Sequence, residues 1–269
     1  DENVGTYADV LNATYTANTN YTVTLVAGDF TITAATGLGD EVSATGIDKV
    51  YDGNAYNITV NAPAGSTITY SSSQTGTYGA TNPTYTNVGT YTVYYKVTNP
   101  NYSDTATGSA VVKITPRLIT ITADDKSKVY GAADPSFTYT MTGTLVAAGD
   151  LGTITVSRTG SDENVGTYAD VLNATYTANS NYTVTLVAGD FEITAATGLG
   201  DEVSATGIDK VYDGAASNIT VNAPAGSTIQ YSTVSVDGPF MSTNPTYTNV
   251  GTYTVYYKVT NPNYSDEAT

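Results

Sequence analysis

Along most of this chain apolar and polar residues take turns. Tyr91, Val93, Tyr95 and Val97 alternate with Thr92, Tyr94 and Lys96. A period of two puts successive side chains on opposite faces, so this stretch predicts a half-buried strand. Ala110, Val112 and Ile114 repeat the pattern, as do Ile58 with Val60 and Ile68 with Tyr70. Further on, Leu118 to Thr122, then Phe137, Tyr139 and Met141, then Ile154 and Val156, then Tyr182, Val184 and Leu186 continue the series. Asp52-Gly53, Asn82-Pro83, Asn99-Pro100 and Asp134-Pro135 mark turns between them. No window carries an apolar stripe of helical period, and Leu145 to Asp150 has room for one helical turn at most. Short strands recurring every roughly 8–12 residues predict an all-β sandwich architecture.

The alternation itself repeats. Residues 1–33 recur at 162–194 with only Thr19/Ser180 and Thr31/Glu192 exchanged, and 34–107 recur at 195–269 with one insertion. Two segment types therefore alternate, and fixed-period self-similarity predicts a tandem array of small Ig-like β-sandwich modules, each of about 80 residues. The expected divisions are the C-terminal half of a type-A module over 1–33, a type-B module over 34–115, a complete type-A module over 116–194, and a type-B module lacking its last strand over 195–269. An open edge of that kind can pair with a strand from another chain, so assembly by strand donation is a further expectation.

Each segment carries Asn-Val-Gly-Thr-Tyr just ahead of a strongly alternating stretch. Its anchor residues are Asn3, Gly5 and Tyr7; Asn87, Gly89 and Tyr91; Asn164, Gly166 and Tyr168; and Asn249, Gly251 and Tyr253. The pattern is that of a tyrosine corner, in which the ring is buried and the hydroxyl returns to the main chain a few residues upstream. The glycine is expected there for its backbone freedom. Four copies at segment spacing read as architecture, not as a ligand site.

Composition narrows the chemistry. Tyr occurs 24 times against Phe 4 and Trp 0, which suits strands. With 25 acidic and 9 basic residues the net charge is −16, which disfavours nucleic acid and anionic membranes as partners. There is no Cys and no His, so disulfides, thiolate metal sites and the usual general base are missing. No apolar run approaches the ~20 residues of a membrane span, so no membrane insertion is expected in this segment. The densest charge cluster, Asp124-Asp125 with Lys126 and Lys128, reads as a solvated strand end. No catalytic residues and no cofactor are predicted, and the chain is not expected to be an enzyme. Calcium is the one ion the composition favours: Asp40, Glu41, Asp201 and Glu202 follow the A-to-B boundaries, where hard cations often sit in surface arrays. The alternative is that these are solvated linker acids.

The copies differ most at Ser71 to Ala80, which becomes Ser232 to Ser242. Tyr78, Phe240 and Met241 lie in these loops and are candidate ligand-tip residues, since loops carry recognition; loop drift is the competing reading. Eight Asn-x-Ser/Thr sequons, at Asn12, Asn20, Asn57, Asn101, Asn173, Asn181, Asn218 and Asn263, follow from the abundance of Asn and Thr.

Three phrases resemble known repeats. Lys49-Val-Tyr-Asp-Gly53 and Lys210-Val-Tyr-Asp-Gly214 resemble the YDG-type repeat. Lys128-Val-Tyr-Gly131, with Asp134-Pro135 and Asn164 to Tyr168 after it, resembles the YGX-type MBG repeat. The stretch Asn82 to Lys96 is similar to Ig-like repeats of large bacterial surface proteins. This resemblance implies a structural segment of an extracellular fibre, stalk or adhesin at a bacterial cell surface or cell wall. Its partners would be neighbouring modules of the same chain, other copies of itself in a fibre, or host or environmental glycans. It transfers no catalytic residue. Two further functions are weighed beside it: a glycan- or mucin-binding module acting through the loops or Tyr-rich faces, and a filament subunit assembled by strand donation.

Overall fold

A computed structural model describes residues 3–269. The protein is all-β, built from several small sheets and two short 3-10 turns, and it divides into two compact units.

Unit 1 holds the chain up to Leu118, together with Leu145–Asp150 and Ala178–Thr183. Strands β1 (Gly5–Leu11) and β2 (Gly28–Ile32) pair antiparallel. Next come β3 (Ser43–Thr45), β4 (Ile47–Val50), β5 (Thr59–Asn61), β6 (Thr67–Ser71), β7 (Gly89–Thr98) and β8 (Ala106–Thr115). Strands β3 and β5 form a small sheet, and the larger one runs β4-β8-β7-β6. Its heart is β7 with β8. Val93, Tyr95 and Val97 from the one, and Ala106, Val112 and Ile114 from the other, are buried, as the period of two requires. Tyr95 stands opposite Gly108 and its ring lies over that residue; a Cβ there would come 2.4 Å from the tyrosine oxygen. β4 joins the far side of β8 in parallel, Ile47 beside Val112.

Unit 2 holds Ile119–Thr144, Leu151–Thr177 and Val184–Thr269. Strand β9 (Arg117–Ala123) enters it at Ile119, followed by β10 (Lys126–Val129), β11 (Tyr139–Thr142), β12 (Thr155–Arg158), β13 (Gly166–Thr175), β14 (Tyr182–Val187) and β15 (Gly189–Thr194). The sheets are β10-β15-β13-β12 and β11-β9-β14. The first repeats the plan of unit 1: an antiparallel pair in the middle, and a strand added in parallel on one side, Lys126 beside Phe191. The two segment types thus share a strand order although their sequences differ. Phe191, Leu172, Ile193 and Ala123 form the core, with Phe137 meeting Phe191 edge-on at 5.9 Å. The remaining strands, β16 (Ser204–Thr206), β17 (Thr220–Asn222), β18 (Thr228–Ser232) and β19 (Tyr256–Thr260), pair as β16-β17 and β18-β19 around Leu199, Val259 and Ala268.

Three features sharpen the sequence reading. Leu145 to Asp150, with room for one helical turn at most, forms a single hydrogen-bonded turn, with Asp150 N–H donating to Ala147 O at 3.2 Å. The short 3-10 turns lie instead at Leu38–Glu41 and Leu199–Glu202, each burying its leucine completely. Both are held from a distance: the Asp104 carboxylate accepts from Gly37 N–H and Leu38 N–H, and Asp266 does the same for Gly198 and Leu199. Strand β13 also carries a bulge between Tyr168 and Leu172, where Asp170 adopts φ 56° and its N–H donates to Asp190 Oδ1 at 2.9 Å. β1 has the same bulge at Asp9.

Candidate functional site

The four repeated turns all close in one way. The tyrosine hydroxyl donates to the asparagine carbonyl four residues back: Tyr7 to Asn3 at 2.6 Å, Tyr91 to Asn87 at 3.1 Å, Tyr168 to Asn164 at 2.6 Å and Tyr253 to Asn249 at 3.3 Å. In the B-type segments a second tyrosine stacks on the ring, Tyr85 on Tyr91 and Tyr247 on Tyr253, both at 4.0 Å. The glycine serves a different need from the one expected. None of Gly5, Gly89, Gly166 and Gly251 has a positive φ. Gly89 is there for space, since a Cβ on it would lie 2.6 Å from the Tyr91 ring.

The corner asparagines are also bonded from elsewhere. Val88 N–H donates to Asn181 Oδ1 at 2.8 Å, and Asn181 Nδ2 donates to Asn87 Oδ1 at 3.0 Å. One amide side chain therefore grips a backbone donor and a side-chain acceptor of the same turn. All three residues belong to unit 1. The arrangement recurs twice: Val4 N–H and Asn3 Oδ1 are held by Asn101 at 3.0 and 3.1 Å within unit 1, and Val165 N–H and Asn164 Oδ1 by Asn263 at 2.8 and 3.1 Å within unit 2.

Each gripping asparagine, the hook, is itself rigidly built. It ends an Asn-x-Asn turn in which its own N–H donates to the Oδ1 of the asparagine two residues back, at 2.9 to 3.0 Å in all three. This is the Asx-turn that makes asparagine a turn residue. The earlier asparagine anchors the turn by its Nδ2: Asn99 to Ala64 O and Ser66 Oγ, Asn179 to Asp150 O, Asn261 to Ala225 O and Ser227 Oγ. The hook's backbone carbonyl then accepts from the first residues of its own segment, Ala35, Arg117 and Ala196. Asn181 and Asn263 are only 8% and 6% exposed, so these sequons are occupied by hydrogen bonding.

A tyrosine pair completes two of the three grips. The residue after the hook meets the tyrosine of the Lys-Val-Tyr phrase edge-on: Tyr182 with Tyr51 at 5.5 Å in unit 1, and Tyr264 with Tyr130 at 5.6 Å in unit 2. Tyr182 also donates to Asp150 Oδ2 at 2.5 Å and accepts from Val146 N–H at 2.8 Å; burial first, and that carboxylate second, push its phenol above the ordinary range. Arg117 Nη1 donates to Tyr51 O at 3.2 Å. The joint uses amides, phenols and backbone, and its principal contacts carry no charge.

The other candidate residues are placed as follows. Asp40 and Glu41, and Asp201 and Glu202, are exposed on the two 3-10 turns. No group of three or more acidic side chains converges among the described residues. Tyr78 packs on its own loop, donating to Gln74 O at 3.2 Å beneath Lys96 Nζ. Phe240 is half-buried against Gly238, next to the cis Gly238-Pro239 bond, and Met241 is exposed and bridges to Tyr231. Asp124 is satisfied by Thr138 and Thr140, which hold its carboxyl below the usual range.

Sequence reasoning missed the hooks, and it missed a charge network. Lys128, on β10, pairs with Asp134 at 2.7 Å and with Glu163; Arg158, on β12, pairs with Asp134 at 3.2 Å and with Glu163 at 2.6 Å. Both cations lie over Phe191, the guanidinium 4.6 Å from its centroid. The hooks did leave a signal: Asn-x-Asn-Tyr stands once in each segment, at Asn18, Asn99, Asn179 and Asn261.

Residues 119–192 match the family model of the MBG domain (YGX type). No curated protein is matched by the chain. No helix among the described residues is long and apolar enough to cross a membrane.

Proposed function

We propose that the chain is a structural stretch of an extracellular bacterial surface protein, in which alternating segments over 1–33, 34–115, 116–194 and 195–269 form an array that carries or supports adhesion. The observation behind this reading is the recurring joint. In each of its three copies the corner of one segment is gripped by the hook of the next, with the same atoms at nearly the same distances. The MBG domain matched at 119–192 is a repeat family of surface proteins, which supports the location. Most of the distinctive side chains are spent on the joint and the corner, which favours a mechanical role over catalysis. Segments that contact chiefly their neighbours give a stability that propagates along the array.

The loops at Ser71 to Ala80 and Ser232 to Ser242 keep the second reading in play, because Met241 and Val234 are exposed there, at 47% and 67%. A mucin-glycan array probed with the whole chain separates the two. The structural reading expects no saturable signal; binding lost on Phe240→Ala and Met241→Ala would assign the function to the loop instead. Calcium is tested beside it by melting with and without a chelator, where a lowered midpoint in chelator would place an ion at the acidic turns.

A further inference from the structure

In the segments of 34–115 and 116–194, the strand by which the chain enters the large sheet lies beside the strand by which it leaves. In the first, β4 runs parallel to β8, with Ile47 beside Val112 and Val50 beside Thr115. In the second, β10 runs parallel to β15, with Lys126 beside Phe191 and Val129 beside Thr194. Each pair is closed at its far end in the same way. Tyr51 N–H donates to Thr115 O at 2.9 Å, and Tyr130 N–H to Thr194 O at 2.8 Å. The Thr115 hydroxyl donates to Lys49 O and the Thr194 hydroxyl to Lys128 O, both at 3.2 Å. The near end is pinned as well. Ala35 and Arg117 donate their N–H to the hook carbonyls of Asn101 and Asn181, at 2.9 and 3.0 Å. In 34–115 the grip is doubled, because Ser103 N–H donates back to Ala35 O at 2.8 Å and Asp104 holds Gly37 and Leu38. Asn101 to Asp104 lead directly into β8. Between these anchors the chain changes sheets at Gly46, where a Cβ would come 2.3 Å from Val111 O. Entering and leaving backbones are in direct contact there.

We propose that each of these parallel pairs is a shear clamp that bears tension passed along the array. Tension enters a segment at its first residues and leaves it at its last. On two parallel strands those points lie at opposite ends of the pair. The pull therefore slides one strand along the other and loads every hydrogen bond between them at once. A pull on both strands from one end opens the same bonds one after another. The bonds are those of any parallel ladder, so the resistance comes from their direction relative to the load. Strand β6, at the other edge of the sheet, lies outside this path and carries no load until the clamp slips. The clamp deepens the structural reading above and rests on it: it names what the segments do when the array is pulled.

Single-molecule force spectroscopy on the whole chain tests this. The chain has no Cys, so introduced cysteines are the only attachment points. Handles at Thr33→Cys and Leu118→Cys load β4 against β8 in shear. Handles at Asn54→Cys and Leu118→Cys pull the same two strands apart from one end. All three positions are exposed. Forced unfolding follows the unfolding rate, and at equal loading rate the shear pair is expected to rupture at roughly twice the force of the peeling pair. A second readout separates the load path from general stability. Thr115→Val deletes one hydroxyl bond inside the clamp, and Thr69→Val deletes the same kind of bond, to Lys96 O at 3.3 Å, between β6 and β7. With the shear handles, Thr115→Val should shorten the lifetime at fixed force about fivefold, the worth of one ordinary hydrogen bond, and Thr69→Val should leave it unchanged. Near-ultraviolet circular dichroism confirms that the variants fold. Equal rupture forces in the two directions overturn the proposal. So does a Thr69→Val chain whose lifetime shortens as much as that of Thr115→Val, since both bonds would then be merely structural. Failure here leaves the joints intact, because their own test is loss of protection at Val88 in Asn181→Ala. Failure of the structural reading would show instead as saturable glycan binding at the loop, with the two rupture forces unaffected.

Discussion

At Gly89 an added Cβ would lie 2.6 Å from the Tyr91 ring, whereas at Gly166, the same place in another corner, the nearest ring atom is 3.8 Å away. The first is a clash with a ring stacked on Tyr85 and unable to retreat; the second is ordinary contact. Gly89→Ala is therefore expected to cost about 1–3 kcal/mol through overpacking. Gly166→Ala should be neutral or stabilise by up to about 1 kcal/mol, because alanine restricts the unfolded chain. Denaturant titration of the two variants checks the contrast. The tyrosine corner was legible because four copies of Asn-x-Gly-x-Tyr precede four alternating stretches. The role of its glycine was not, since a glycine chosen for space and one chosen for a positive φ look alike in sequence. Asp170 shows the converse: it reads as an ordinary polar strand position and adopts a left-handed backbone at a bulge.

Strands β10, β12, β13 and β15 form an element held by a ring and a charge network together. Phe191 is fully buried with Leu172 and Ile193. Phe191→Ala should cost about 3–5 kcal/mol and loosen the cations above it. The network also sets a pH window. The Lys128 ammonium, and then Arg158, hold the Glu163 carboxyl below its ordinary 4.5, and Asp134 with Glu163 holds Lys128 above its ordinary 10.5. A depressed carboxylate contributes stability that is present above pH 4.5 and lost as pH falls through its lower folded value. A raised amine contributes stability that is present below pH 10.5 and lost as pH rises through its higher folded value. The melting temperature is accordingly expected to be flat between these limits and to fall on the acid side, with Glu163→Gln shallower than the parent there. Alternation revealed β12, and β13 after its corner, but marked neither β10 nor β15. It did not reveal the network, because Lys128, Asp134, Arg158 and Glu163 meet only once the sheet order brings β10 and β12 to one core.

For the molecule as a whole, the central claim is that an asparagine hook of one segment grips the corner of the segment before it. Repeat boundaries were visible in the sequence, since long stretches recur nearly unchanged. The joints were visible only as four Asn-x-Asn-Tyr phrases, which read as sequons, because residues more than ninety positions apart announce no contact in one sequence. Substituting a hook removes two hydrogen bonds and strands a backbone donor, so Asn181→Ala or Asn263→Ala should each destabilise its own unit by about 1–3 kcal/mol. The effects should be independent, because the two hooks share no partner. The most direct measurement is amide hydrogen exchange at Val88 in the parent chain and in Asn181→Ala. The joint predicts a protected Val88 amide whose exchange rises at least tenfold in the variant while Val165 is unchanged; a Val88 amide that exchanges at the same rate in both would contradict it.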